Sequence, residues 1–336
     1  MTASQRDIRF DNLKGILIFL VVFGHLLELV DGSIAAWLYH VIYSFHMPAF
    51  VFCSGWFARF DAGRFFRRLL YPYLIYQTLY LMFDRMVLHG KAPLQYTTPY
   101  WLLWYLFSMM IWTLLPLIDG LNNRRFAFIG CLVAALAAGF DPTIGYDMSL
   151  SRTLVLLPFF AAGHLAAGSG LFTQQPSAQL RRRVSVGLVA WITVATILLW
   201  LQRGAVRNVW FYASRSYEGA HYDLALRALL LINSAAWILL LLLFVPQRPL
   251  PFVAALGRNT LPVFLLHGFF VRALGKAAPS VSSTEGIFLA FFLALALCIT
   301  LGNRFTALLF RPTFSAPQFG RALVWLEEPR LGHPVR

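Results

Sequence analysis

His25 stands where an ionisable group is least expected. It follows an apolar run, Ile16 to Gly24, that reads as a membrane-crossing helix. Ionisable residues inside such helices are costly and mark functional sites. Lys14 lies eleven residues earlier. Eleven helical steps return to within about 20° of the starting direction and rise roughly 16 Å, so both side chains face one way. Asp11 and Glu28 fall near the same face, with Glu28 one turn beyond His25. A carboxylate there can orient the imidazole and raise its basicity, which makes His25 a candidate general base with Glu28 behind it. The competing role is structural: a histidine hydrogen-bonded to a neighbouring helix.

Arg64, Arg67 and Arg68 precede the third apolar stretch. Spacings of three and four put them on one helical face, and guanidinium forks suit phosphate groups. Ordinary membrane anchoring explains such a cluster equally well. In the segment from Phe45 to Gly55, Pro48 is expected to break a helix and free backbone groups, with Ser54 following on the same segment. Broken helices are tolerated where they line a cavity, although a bare kink is common. A second buried histidine, His267, ends the segment that begins at Gly257, and a structural role is the more frequent one for a lone histidine there. His40, His89, His164, His221 and His333 show no metal-ligand spacing, and no metalloprotease, nucleophile-elbow or phosphate-loop motif occurs, so no metal is expected.

The elements that must hold these residues follow from composition. Hydrophobic residues make up 59% of the 336 positions and charged residues 12%, against roughly 25% charged in a soluble domain. Lipid must cover much of this surface, so membrane lipid is an expected partner. The net charge of +14 fits basic loops of a membrane protein, with no pattern suited to nucleic acid. Cys53, Cys131 and Cys298 lie in apolar stretches and are expected as buried thiols. Ten apolar stretches stand out: Leu13–Val30, Ile34–Cys53, Leu69–Leu88, Tyr100–Ile118, Phe126–Phe140, Leu154–Ala167, Val184–Leu201, Leu224–Val245, Phe252–Val271 and Ile287–Phe310. The fifth and sixth are short enough to tilt or re-enter. The first is expected as a retained helix, not a cleaved signal. The expected fold is therefore all-α, a polytopic membrane protein with about ten transmembrane helices. Placing the N-terminus inside puts 19 of the 28 Lys and Arg residues on inside segments, which orients the chain N-in and C-in. Residues 1–310 would form one transmembrane domain, and residues 311–336 a cytoplasmic tail with little structure.

Taken in order, these segments resemble the acyltransferase-3 family of integral membrane O-acyltransferases, and within it the fucose 4-O-acetylase-like branch. The resemblance rests on Arg9 to Gly15, Val21 to His25, Phe45 to Pro48 with Ser54 and Gly55, Arg64 to Arg67, Tyr100 to Leu106 and Leu256 to His267. The family pattern of a basic residue, ten residues and a histidine is met by Lys14 and His25. Its Arg-x-x-Arg is met by Arg64 and Arg67. The resemblance implies a ten-helix core in a bacterial inner membrane that takes an acyl group, usually acetyl, from cytoplasmic acyl-CoA (acetyl-CoA in the simplest case). The acceptor it implies is a hydroxyl on a cell-surface carbohydrate or its lipid-linked precursor. His25 would be the base, supported by Glu28. Lys14, Arg64, Arg67 and Arg68 would hold the donor phosphates, and Asp11, Pro48, Ser54 and His267 would line the substrate pocket. Some family members carry an added hydrolase-like domain; single-step transfer within the membrane core is the simpler expectation here. A transporter of a glycan or lipid intermediate, or a non-enzymatic partner in polysaccharide assembly, would share the helices and the buried histidines. Neither accounts for the Lys14–His25 line joined to a phosphate-suited arginine cluster. Oligomeric state is not encoded in any of these features.

Overall fold

The computed structural model describes residues 7–115, 124–169, 177–277, 281–282 and 284–316. They form α1 (Ile8–Leu27), β1 (Val30–Asp31), α2 (Ser33–Tyr43), α3 (His46–Trp56) and a short α4 (Ala62–Phe65), which runs through one wide π turn (Phe66–Leu70) into α5 (Tyr71–Met86). Then come α6 (Trp104–Trp112), α7 (Arg124–Ala137), α8 (Leu150–Ser169), α9 (Ala178–Leu201), the short α10 (Asn208–Tyr212) and α11 (Tyr217–Ala220), and α12 (Leu224–Phe244). The chain closes with α13 (Pro251–Arg258), α14 (Thr260–Ala277), β2 (Val281–Ser282), α15 (Thr284–Leu301), α16 (Arg304–Leu309) and α17 (Arg311–Phe314). The two strands are two residues each and pair in parallel, Val30 with Val281. The fold is all-α, as composition requires.

Helix makes up most of the described part of each of the ten apolar stretches, with breaks at Ser44–Phe45, Asn259 and Gly302–Asn303. By length and composition six of the resulting segments suffice to cross a membrane: Ile8–Leu27, Ser33–Trp56, Asp147–Ala167, Ala178–Leu201, Leu224–Phe244 and Thr284–Leu301. Trp101–Trp112 and Phe126–Ala137 are apolar but shorter, and the end of the fourth stretch, residues 116–118, lies outside the described residues. The third and ninth stretches fall short of this measure for a physical reason. In α5 a fully buried Gln77 donates to Gln95 O (2.8 Å) and Thr98 O (3.1 Å), so polarity is used for packing. In the ninth, α14 carries the buried His267 and, beyond it, Arg272 and Lys276 among its apolar residues, and Asn259, whose side-chain amide donates to Gly302 O at 3.0 Å, separates it from α13.

Apolarity and burial run in opposite directions along this chain. The apolar window of α9 has a mean hydropathy of 2.2 and is only 6% buried in the protein, whereas that of α1 has 1.7 and is 72% buried. A soluble fold would bury its most apolar helix. Here α9 and α15 turn Val186, Val194, Leu198, Phe288, Leu289 and Phe292 outward, a surface that only lipid can cover. The chain is a multi-pass integral membrane protein.

At the centre, α1 packs against α3, α13, α14 and α15. It begins earlier than its apolar run because Asp7 caps it: the carboxylate accepts from Arg9 N at 3.0 Å. That boundary puts His25 in the last turn of α1 and Lys14 nearly two turns in from its start. Two ends of the bundle can then be told apart by what is tied to them. At the Asp7 end, Asn12 donates to Pro246 O and Arg248 O, both at 2.9 Å, and accepts from Leu250 N at 3.0 Å. There too Ala316 N reaches Arg67 O at 3.3 Å. At the His25 end, β1 meets β2, Met148 N donates to Thr97 O (3.0 Å), and Tyr217 N donates to Gly139 O (2.7 Å).

The expected break in the second helix falls one turn before Pro48, between α2 and α3. The pyrrolidine ring clashes with the carbonyl four residues back, that of Ser44, and offers it no N–H. The freed Ser44 carbonyl accepts instead from Ser234 Oγ of α12 at 2.6 Å, and Ile42 O accepts from the His46 ring at 2.8 Å. The beginning of the tail is also not loose. Tyr71 donates to Pro312 O at 2.9 Å, Tyr76 bonds Thr313 Oγ1 at 3.0 Å, and Phe314 is buried on α5. Residues 317–336 lie outside the described residues. The three cysteines are free and buried.

Candidate active site

A cavity of about 350 Å³ opens among α1, α2, α3, α8 and α12 and the loops of the His25 end. His25 and Glu28 line it, together with Tyr43, Trp101, Arg152 and Arg227. Gly24 lets the wall form: a Cβ there would meet Tyr43 Cε2 at 2.9 Å, so only glycine admits the tyrosine ring beside His25.

The hydrogen bonds around Glu28 fix what His25 can do. Tyr43 Oη donates to Glu28 Oε1 at 2.6 Å. His25 Nδ1 lies 2.9 Å from Tyr43 Oη and 3.2 Å from Glu28 Oε1. A carboxylate only accepts, and the single tyrosine proton is already committed to it. Nδ1 must therefore carry hydrogen, which leaves the lone pair on Nε2. Tyr39 Oη stands 3.3 Å from the same carboxylate oxygen and bonds Tyr212 Oη at 2.7 Å, extending the network across the cavity. Trp101 packs on the His25 ring at 4.6 Å between centroids and has φ +40, a conformation that costs energy in a non-glycine residue and is held only by its surroundings.

The other sequence candidates separate by location. Pro48 lines the cavity. His267 is fully buried, stacks on His25 at 5.5 Å, and donates Nδ1–H to Val263 O at 2.8 Å, with its Nε2 unpartnered. Ser54 is engaged elsewhere, with Tyr105 Oη at 2.5 Å and Phe50 O at 3.0 Å. Lys14 and Asp11 form an ion pair at 3.2 Å, with Lys14 Nζ over the Phe57 ring. Arg64 and Arg68 are exposed and Arg67 half-buried, around the π turn; Arg67 Nε donates to Gly63 O at 3.0 Å. The cavity reaches Val21 but touches none of Asp11, Lys14, Ser54 or the three arginines.

Several cavity residues escaped the sequence reading. Tyr43 carried a signal, since one helical turn separates it from the Tyr39 that joins the same network. His46 lies inside a segment already singled out. Arg152 and Arg227 belong to the nine basic residues that the orientation rule leaves on the outside segments, and that exception was the available clue. Among the described residues, no three His, Cys, Asp or Glu side chains converge to hold a metal ion.

Residues 7–303 match the family model described as Acyltransferase domain, the acyltransferase-3 family. The chain belongs to this family. It is similar to Nodulation protein NolL of Mesorhizobium japonicum, 31% identical over 193 residues, covering 49% of this chain and 48% of that protein. It is also similar to Nodulation protein NolL of Sinorhizobium fredii, 30% identical over 225 residues, covering 59% of this chain and 58% of that protein. The chain thus spans about half the length of these curated relatives. No solved structure matches it. Among the described residues lining this cavity, His25 is the histidine whose ring a carboxylate orients.

Proposed function

We propose that this acyltransferase-3 chain moves an acyl group, acetyl in the simplest case, from acyl-CoA to a hydroxyl of a cell-surface or lipid-linked carbohydrate. The observation that carries the reading is the Tyr43–Glu28–His25 network, which holds His25 Nδ1 and leaves the Nε2 lone pair to a histidine that lines an aromatic-walled cavity. The acceptor oxygen attacks the thioester carbonyl carbon while its proton passes to His25 Nε2. The C–S bond then breaks, and the imidazolium returns the proton to the coenzyme A thiolate. The Glu28 carboxylate stabilises the imidazolium between these steps. Trp101, Trp104 and Trp210 supply flat apolar faces suited to a sugar ring, and the surrounding hydrocarbon limits thioester hydrolysis.

The donor is read as entering from the opposite end. Lys14, Arg64, Arg67 and Arg68 are cationic groups near the Asp7 end, suited to the coenzyme's phosphates. Lys14 and His25 are separated by roughly 16 Å of helix, a span for the extended pantetheine arm. In this reading the chain crosses the bacterial inner membrane ten times, N-in and C-in, with residues 311–336 inside. Purified full-length protein in nanodiscs, given labelled acetyl-CoA and surface glycan, tests the function. Label appearing in glycan as an ester supports it; a protein that binds glycan but never consumes acetyl-CoA overturns it in favour of transport.

A further inference from the structure

Arg152 and Arg227 are both walls of the cavity, and neither has a carboxylate. Arg152 is on α8; its Nε donates to Tyr212 O at 3.1 Å, and its guanidinium sits 5.2 Å from the Trp104 ring centroid and 5.3 Å from that of Tyr146. Its terminal nitrogens have no partner among the described residues. Arg227 is 2% exposed. It donates to Ala135 O (3.3 Å), Arg215 O (2.9 Å) and Tyr222 Oη, and lies 4.4 Å from the Tyr217 ring. Every acceptor these two cations meet is neutral. Arg215 adds a third guanidinium 5.7 Å from the Tyr146 ring. Arg272, an arginine of the same end outside the cavity, has Asp84 at 3.8 Å. Glu28 is the one carboxylate among the residues lining the cavity, and it is taken by Tyr43, Tyr39 and His25.

Removing a guanidinium from water without an anion is strongly unfavourable, and aromatic faces offset only part of it. Arg152 with free terminal N–H groups is a fork awaiting two oxygens. We infer that the acceptor is anionic: a carboxylate or phosphate on the carbohydrate docks on Arg152, with Arg227 adding field from behind, and this contact sets the acceptor hydroxyl at His25 Nε2. The assignment rests on the acyl-transfer reading for what happens next, but not for the binding itself. A carboxylated sugar and a phosphate-linked carrier both present a pair of anionic oxygens to a guanidinium fork.

Binding to the full-length protein in nanodiscs without acyl donor tests this, followed by the fluorescence of the cavity tryptophans. The probes are methyl glucuronide, methyl glucoside and glucose 1-phosphate, which share a ring and differ in charge. The expected result is at least one anionic probe bound roughly ten-fold or more tightly than the glucoside, with a preference that weakens as salt rises. Preference for the glucuronide alone identifies a carboxylated acceptor; preference for the phosphate alone identifies a phosphate-linked one. Arg152→Gln, which keeps a donor for Tyr212 O but loses the charge, abolishes the preference, and Arg203→Ala, outside the cavity, leaves it intact. Equal binding of all three probes, or a preference that survives Arg152→Gln in correctly inserted protein, overturns the inference. Because no acyl-CoA is present, failure here is separate from failure to transfer.

Discussion

Two ends of one helix handle charge in different ways. Toward the Asp7 end of α1, most basic groups of the candidate donor site are paired or solvated: Lys14 has Asp11 at 3.2 Å and Arg64 and Arg68 are exposed, while the half-buried Arg67 donates to Gly63 O. Toward the His25 end, Arg152 and Arg227 have neutral oxygens and rings alone, and Glu28 serves three donors at once. Backbone strain follows the same division. Among the described residues, the non-glycine positions with left-handed φ are His89, Trp101, Met148, Ser149, Ala213 and His221, and all lie in the loops of the His25 end. Strain and unbalanced charge persist where the surroundings, or a ligand, repay them. The difference teaches where to seek specificity: the Asp7 end is suited to a generic donor, the His25 end to one particular acceptor.

The most severe way to break this contrast is to remove the base. His25→Ala is expected to lower transfer by about 10²- to 10⁴-fold, while donor and acceptor affinities change little, because neither the phosphates nor the anion depends on it. Steady-state kinetics on protein shown to be inserted and folded checks this; activity within a few-fold of wild type would sink the mechanism. Next comes the network behind the base. Glu28→Gln places an amide that can donate to Nδ1 and turn the imidazole lone pair the wrong way, so kcat should fall roughly ten- to a hundred-fold. Tyr43→Phe removes the hydrogen bond to Glu28 and the 2.9 Å contact with His25 Nδ1 but leaves the carboxylate that orients the ring, and should cost only a few-fold in kcat. In both variants KM for either substrate should stay near wild type. A loss confined to KM would mean that these side chains shape the cavity and do not position His25.

Why some of this was legible in sequence and some not is visible in particular residues. His25 and Glu28 are three apart on one helix, and helical geometry alone brings them together. Tyr43 joins them from α2, and Arg152 and Arg227 reach the cavity from α8 and α12; tertiary packing decides such meetings, and no local spacing encodes them. The Pro48 break was readable because the clash is local, although its position moved one turn upstream to Ser44. The apolar run alone does not mark the start of α1, because the Asp7 cap opens the helix before that run begins. Span count is the weakest inference from composition: the buried Gln77 of α5 and the break at Asn259 between α13 and α14 belong to helices that pack without being uniformly apolar.

A milder perturbation probes the donor side. Arg64→Ala or Arg67→Ala removes one charged hydrogen bond to a phosphate, which should raise KM for acyl-CoA by about ten-fold and leave binding of the anionic acceptor probes untouched. Donor kinetics unchanged in both variants would reduce these arginines to topological anchors, and equal effects on both substrates would erase the division between the ends.

The smallest expected effect is also the most diagnostic, because it is a gain. Lys14 has one ammonium and two claimants: Asp11 holds it at 3.2 Å in this structure, and a coenzyme phosphate would claim it when the donor arrives. The pair is partly shielded, with the Asp11 side chain 5% exposed and that of Lys14 22%, so Asp11 competes with the donor for the lysine. Asp11→Asn keeps the side-chain shape and withdraws the competing charge. If Lys14 serves the donor, the variant should bind acyl-CoA about two- to five-fold more tightly, equivalent to roughly 0.5–1 kcal/mol, at some cost in thermal stability. Lys14→Met in the same background should cancel the gain. If Asp11→Asn loses stability and its donor affinity stays flat or weakens, the ion pair is architectural: it holds the start of α1, and the phosphates are gripped by the arginines of the π turn alone.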